Sequence, residues 1–414
     1  MPKLKAAVIG AGSTYTPELI EGFIAYKDTL PFTELSLMDI DQTRLGIVGN
    51  LAIRQLKAAG IDVKVELTTD LDRALDGTDF VFGQIRVGKM PARILDERIP
   101  LKYGYVGQET TGAGGFMKAL RTVPVIMDIT ERMKRLSQAG AWLINFSNPS
   151  GIIAEAVLNY TGTNMVGLCN VPVNMRRNAA DVLGTDNFEY EYVGLNHLSW
   201  FTSITIDGKP QNLSQIKPET PQVTPYFPSY YLDYFYTREK KFAELQDAAD
   251  KNQTRGEVCL ELEDALFKQF ADPNLNVKPE ELSKRGGALY SMAALSAVNS
   301  IHNNDKGIHV VAAKNNGAVP FMDDDDVVEI KCELSRTGIN PLPVHNYNEY
   351  IIGLMRGVKA YERLAVQAAM EGCREKAMAA LMVHPLLGDY DKVKPMLNEL
   401  LEAHKQYLPK FFGG

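Results

Sequence analysis

The sequence predicts an α/β protein: a Rossmann-like, doubly wound parallel sheet followed by a mixed α+β domain. Short apolar runs alternate with stretches of helical period over residues 4–169, which is the pattern of repeated strand–helix–strand units. The first apolar run passes directly into Gly10-Ala11-Gly12. The 414 residues exceed one ordinary domain, so two are expected. We place the division between residues 168 and 169.

The elements follow in order. Residues 4–9, LKAAVI, are a buried strand. Residues 17–27 are a helix with Pro17 in its first turn, where proline is tolerated. ELSLMDID, 34–41, is a second strand ending in acid. Residues 42–60 have helical period and close on Gly60, a C-terminal cap. DVKVEL (62–67), DFVFGQI (79–85), AWLINF (141–146) and NMVGLC (164–169) are further strands, with helices expected at 91–102 and near 118–139. In the second half, helices are expected around residues 229–251 and 352–372. The amphipathic tail, 391–406, suits packing against a core or an oligomer partner. MDDDD, 322–326, reads as a solvated turn.

The opening loop then has the context that gives a glycine pair meaning, a strand before it and a helix after it. Gly10 permits a tight turn. Gly12 lets the backbone approach a pyrophosphate, and the helix start offers N–H donors and a positive dipole end. Gly10, Gly12, Ser13 and Thr14 are therefore the expected cofactor-binding run. Tyr15 stands where a third glycine is usual, so the loop should be wider or the tyrosine should point outward. Asp39 or Asp41, ending the second strand, can bind an adenosine ribose 2′-hydroxyl, which favours NAD over NADP. The first domain, 1–168, is thus expected to bind NAD, and 169–414 to carry catalysis, metal binding and oligomer contacts.

Four other stretches do not belong to a plain dinucleotide fold. In NFSNPSG, Asn148 follows a strand and lies at the carboxyl edge of the sheet, where open α/β folds bind ligands. Cys169 and Asn170 end the next strand, and His197 in GLNHLSW follows another apolar run. A thiolate and an imidazole on neighbouring strand ends can hold a divalent metal, although a lone cysteine or histidine is more often packing. Arg86, Arg93 and Arg98 can pair with an anionic substrate, or simply decorate a charged helix face. Glu109, before a Thr/Gly-rich loop, can orient a catalytic partner.

Composition excludes several classes. The net charge of −7 argues against general nucleic-acid binding. There is no signal-peptide pattern and no apolar run long enough to cross a membrane, so cytoplasm is the expectation. Cys169, Cys259, Cys332 and Cys373 are far apart and are expected to be thiols, not disulfides.

The motifs together resemble glycoside hydrolase family four, the NAD- and divalent-metal-dependent glycosidases. The resemblance rests on GAGSTYTPEL, RVGKMPARILDERIPLKYG, GQETTGAGGF, NFSNPSG, CNVPVN and GLNHLSW, and spans roughly residues 4–345. Its 6-phospho-β-glucosidase members are the most similar in these motifs. The resemblance makes Tyr15 a normal family variant. It implies Cys169 and His197 as metal ligands, usually for manganese, with Arg93 and Asn148 as substrate contacts. It implies Glu109 as the residue that raises the basicity of a catalytic tyrosine. That tyrosine is Tyr231, with Tyr234 the alternative. Arg255 would help hold the substrate phosphate. Asn170 stands where α-specific members carry Asp, which points to β-glycosides.

The implied chemistry is redox-assisted elimination: hydride removal from C3 by NAD⁺, C2 deprotonation by Tyr231, loss of the C1 oxygen, water addition and return of the hydride. The tyrosine pKa, ordinarily about 10, must fall for this. A phosphorylated disaccharide or aryl phosphoglucoside is the expected substrate, and an assembly of two or four subunits the family expectation. The rivals are an ordinary NAD-dependent dehydrogenase of a hydroxy acid or sugar, a non-catalytic NAD-binding regulator, and a phospho-α-glucosidase or α-galactosidase of the same family.

Overall fold

The computed structural model describes residues 4–216, 221, 223–285 and 290–413. Six parallel strands open the chain: β1 (Leu4–Ile9), β2 (Phe32–Met38), β3 (Lys64–Thr68), β4 (Phe80–Gly83), β5 (Trp142–Asn145) and β6 (Asn164–Gly167). They lie in the order β3-β2-β1-β4-β5-β6, the doubly wound arrangement expected from the alternating pattern. The strands are short and almost wholly apolar because both faces are covered. Val8, Phe82, Ile144 and Val166 pack into one layer, and Ala7, Val81, Leu143 and Met165 into the other.

The second half continues the same sheet. Besides the hairpin β7 (Glu189–Leu195) and β8 (Leu198–Ile206) and the two-residue strands β9 (Lys209–Pro210) and β10 (Phe227–Pro228), it supplies β11 (Ile308–Lys314), β12 (Val327–Ser335) and β13 (Gly338–Pro341). β11 joins β6 antiparallel, pairing Ala312 with Gly167, and β12 and β13 extend the edge. Nine strands on both sides of residue 168 thus form one sheet, while β7–β10 form a second, antiparallel one.

Two local expectations are corrected. The helix expected near 118 begins at Gly112 and runs to Leu136. Its glycines allow a close approach: a side chain on Gly114 would stand 2.3 Å from the Gln108 carbonyl oxygen, and one on Gly115 would be 2.4 Å from Thr110. The acidic turn at 322–326 is not wholly solvated. Asp326 is 3% exposed and pairs with Arg363. The tail helix Tyr390–Ala403 buries Val393, Met396, Leu397, Leu400 and Leu401 against this chain's own core.

Candidate active site

The cofactor loop is held by backbone and by Asp39. Gly10 and Ala11 donate their N–H groups to the Met38 carbonyl at 2.9 and 2.8 Å. Gly10 has φ +90°, and a side chain there would meet the Gln84 carbonyl oxygen at 2.9 Å. Gly12 donates to Asp39 Oδ2 at 2.8 Å, and Asp39 Oδ1 accepts from the Asp41 N–H at 2.9 Å. Asp39 thus sits against the loop, as an acid for a ribose hydroxyl must. Asp41 is already committed elsewhere: it caps the helix Gln42–Ala58 and pairs with Lys89 at 2.7 Å. Ser13 Oγ accepts from the Tyr15 N–H at 3.2 Å, and the wholly buried Thr14 hydroxyl has no hydrogen-bond partner among the described residues. Tyr15 does not point outward. Its hydroxyl donates to the Arg285 carbonyl at 3.2 Å, and the Arg285 guanidinium lies 5.2 Å from its ring centre.

Beside the loop, three cations converge on Glu109. Arg86 and Lys118 reach its Oε2 at 2.5 and 2.8 Å, and Arg93 reaches Oε1 at 3.0 Å. The cations hold the Glu109 carboxyl well below its usual range despite its burial. Burial pulls the Lys118 ammonium down to about 7, with Arg86 adding and Glu109 opposing. Arg93 also gives its Nε to Glu97 at 2.7 Å, which leaves Nη2 without a protein partner among the described residues. Arg98, one of the arginines considered for an anionic substrate, is used otherwise. It binds Glu257, the Ala249 carbonyl and Asn252, fastening the start of the helix Arg255–Phe270.

The strand ends bring the remaining residues together. Asn148 follows β5 by three residues and is joined to Pro149 by a cis bond, and its buried Oδ1 has no partner among the described residues. After β6 comes Cys169, 4% exposed, whose sulfur accepts the Val171 N–H at 3.4 Å. Asn170 precedes the helix Val171–Leu183, and its side chain makes no capping bond. His197 occupies the two-residue turn between β7 and β8 at φ +64°. Left-handed backbone is uncommon for a side chain this large and persists where the surroundings enforce it. The imidazole is 5% exposed, and its Nδ1 lacks a partner among the described residues. Burial pushes it down to about 3, so it is neutral, as a metal ligand must be.

Of the tyrosines, Tyr231 is the one seated here. Its ring stacks on His197 at 3.9 Å between centroids and 14° between planes, while Tyr234 lies 6.2 Å beyond Tyr231. The expected fall in pKa is not found in the protein alone. Burial pushes Tyr231 well above 10, and the charges of Tyr230, Cys169 and Glu109 add to it. A lowered pKa therefore requires positive charge that these side chains do not provide. Arg255 is exposed and donates to the Lys284 and Arg285 carbonyls at 2.9 and 3.0 Å, on the segment whose Arg285 faces Tyr15, and not in the Glu109 cluster.

Lys118, Asn196 and Glu329 were not singled out in the sequence. Lys118 is a lone cation in the otherwise uncharged stretch GAGGFMKAL, which was the available signal. Glu329 carried none, because it alternates with Lys331 and Glu333 as if on a solvated face. Among the described residues no three His, Cys, Asp or Glu side chains are arranged to hold a metal.

Comparisons with known proteins identify the family. The model of family 4 glycosyl hydrolases matches residues 5–185, and that of their C-terminal domain matches residues 192–387. The 6-phospho-beta-glucosidase of Escherichia coli K12 is 37% identical over 99% of this chain and 97% of its own. The Thermotoga maritima 6-phospho-beta-glucosidase, solved with manganese, NAD⁺ and glucose-6-phosphate, superposes with a TM-score of 0.89 at 32% identity, covering 98% of this chain and 99% of that one. A 6-phospho-alpha-glucosidase from gut microorganisms, solved with NAD and glucose-6-phosphate, has a TM-score of 0.89 at 27% identity, covering 99% of this chain and all of that one. The chain belongs to family 4 of the glycosyl hydrolases.

Proposed function

We propose that the chain hydrolyses 6-phospho-β-glucosides, such as cellobiose 6-phosphate, to glucose 6-phosphate, using NAD and a divalent cation, manganese first. The observation that carries this reading is the meeting of His197, with its partnerless buried Nδ1, and the ring of Tyr231. A dehydrogenase of hydroxy acids has no need of a thiol–imidazole pair beside a buried phenol.

The residues fit the two cofactors. Gly10, Gly12, Ser13 and Thr14 would receive the pyrophosphate and Asp39 the ribose, with Asp41 behind it capping the next helix. Cys169 and His197 would hold the cation, and sugar hydroxyls would complete its oxygen-rich shell. When bound, these groups supply transient oxidation at C3 and the positive charge that acidifies C2.

The chain's own residues do the rest. Tyr231 is positioned as the base that takes the C2 proton. Glu109 stays ionised in its cage of Arg86, Arg93 and Lys118, and its negative charge raises the basicity of that phenol. Arg93 Nη2, Asn148 Oδ1 and the uncapped Asn170 side chain are free to take sugar oxygens, and Arg255 is the candidate phosphate ligand. Phosphorylated sugars and NAD are cytoplasmic metabolites, and we place the enzyme there. A homodimer or homotetramer, and a functional division between 1–168 and 169–414, belong to the same reading.

The phospho-α-glucosidase reading has the support of the solved α-specific relative, and Asn170 favours the β-reading. The test is release of 4-nitrophenol from its 6-phospho-β- and α-glucosides, with NAD⁺, Mn²⁺ and reductant each left out in turn. Release from the β-anomer that needs all three is expected. Release from the α-anomer alone reverses the anomeric assignment, and steady NADH formation without release makes the chain a dehydrogenase.

A further inference from the structure

Glu329 lies on β12, 2% exposed, beneath the turn that carries His197. Its Oε1 accepts the Tyr192 hydroxyl at 2.6 Å, and its Oε2 accepts the Asn196 side-chain amide at 3.2 Å. Both neighbours donate, so the pocket is built for the ionised carboxylate. Yet no cation pairs with Glu329 among the described residues. The buried ammonium of Lys359 is taken by Glu155 and Glu362 at 2.8 and 2.6 Å. An unpaired buried carboxylate is costly, and burial pushes Glu329 up to about 7. The Asn196 that it holds directly precedes His197 in the chain.

These contacts have one economical explanation. A divalent cation on one thiolate and one neutral imidazole receives a single negative charge from its ligands. A second buried negative charge close by would balance it, and would itself gain the partner it lacks. We propose that Glu329 is a positioning residue for the metal held by Cys169 and His197: through Asn196 it fixes the His197 turn and supplies the second negative charge the divalent cation needs. It touches neither ligand directly and is not a catalytic residue. The inference rests on the metal reading above and adds a residue to it.

The test uses the full chain, stripped of metal, with NAD⁺ present. Co²⁺ is titrated while the sulfur-to-cobalt absorption band is followed, and Mn²⁺ binding is read from the paramagnetic resonance of the free ion. The wild type is expected to show the band, and Cys169→Ser to lack it. Glu329→Gln, which keeps the volume but loses the charge, should show the band with the Kd for both ions raised about 10–100-fold, the usual cost of an outer-shell change. Its NAD⁺ affinity should remain that of the wild type. Glu329→Asp, charged but too short to keep the Asn196 bond, should fall between them, several-fold weaker than wild type. Unchanged metal affinity in Glu329→Gln overturns the inference and leaves the metal reading standing. Absence of the band in the wild type overturns both. If Glu329→Gln does not fold, Glu329→Asp decides alone: a several-fold rise in Kd supports the role, and wild-type affinity refutes it.

Discussion

The imidazole of His197 lies flat on the phenol ring of Tyr231, 3.9 Å between centroids and 14° from parallel. One ring sits in a left-handed hairpin turn and the other in a short 3-10 turn over Tyr230–Leu232. Stacking locks both side chains, so a base carried by Tyr231 has little freedom to miss its proton. Tyr234 is one ring farther out, and its charge environment is dominated by burial and the Glu97–Arg93 pair.

Tyr231→Phe is therefore expected to keep the stack and lose the proton acceptor. Exchange of the C2 hydrogen of glucose 6-phosphate with deuterated solvent, followed by NMR, should fall about 10²–10⁴-fold, the range for a lost general base. NAD⁺ binding, read from protein fluorescence, should be unchanged. Tyr234→Phe should exchange within a few-fold of wild type. The opposite pattern moves the base to Tyr234.

The cofactor loop yields a second expectation. A methyl on Gly12 would stand 2.8 Å from Asp39 Oδ2 and 3.0 Å from Arg44 Cβ. Asp39 cannot retreat freely, because it holds the Gly12 and Asp41 N–H groups together. Gly12→Ala should weaken NAD⁺ binding at least ten-fold in calorimetric titration, with a modest fall in the melting temperature of the cofactor-free protein as the Asp39 contacts give way. Gly10→Ala is expected to be worse in a different way. At φ +90° with a carbonyl 2.9 Å away, it should lower stability itself by about 1–3 kcal/mol, visible in denaturant unfolding without cofactor.

The same physics explains which features could be read from the sequence. β1, β4, β5 and β6 were legible because a strand buried on both faces is an uninterrupted apolar run, and the Gly10–Gly12 turn was legible because only glycine fits there. The extension of the sheet by β11–β13 was not, because it hangs on long-range pairing such as Ala312 with Gly167, which leaves no local trace. The proposed metal pair was half legible. Cys169 and His197 could be placed at strand ends, but whether one cation can reach both depends on how two sheets meet. Glu329 was illegible for a definite reason: its alternation with Lys331 and Glu333 reads as solvated, whereas Tyr192 of β7 and Asn196 of the turn after it cover that end of β12.

A last expectation concerns acid stability and a histidine outside the proposed chemistry. His384 is 3% exposed, accepts the Leu386 N–H on Nδ1 at 3.1 Å, and is enclosed by Phe235 and Tyr361. Burial pushes it down to about 3, against about 6.5 in an unfolded chain. Between these values the unfolded state binds a proton that the folded state refuses, so unfolding is favoured as pH falls. The stability is therefore fully present above pH 6.5 and is lost as pH drops toward 3, at up to about 1.4 kcal/mol per pH unit from this one group. His384→Asn keeps an acceptor for the Leu386 N–H but removes the titration. It should be less stable than wild type at pH 8, because the smaller side chain leaves a gap between Phe235 and Tyr361. Its melting temperature should then fall less steeply than wild type between pH 6.5 and 4.5, with the two curves converging in acid. Parallel curves would mean that His384 becomes protonated without unfolding, and that the acid sensitivity lies with other groups.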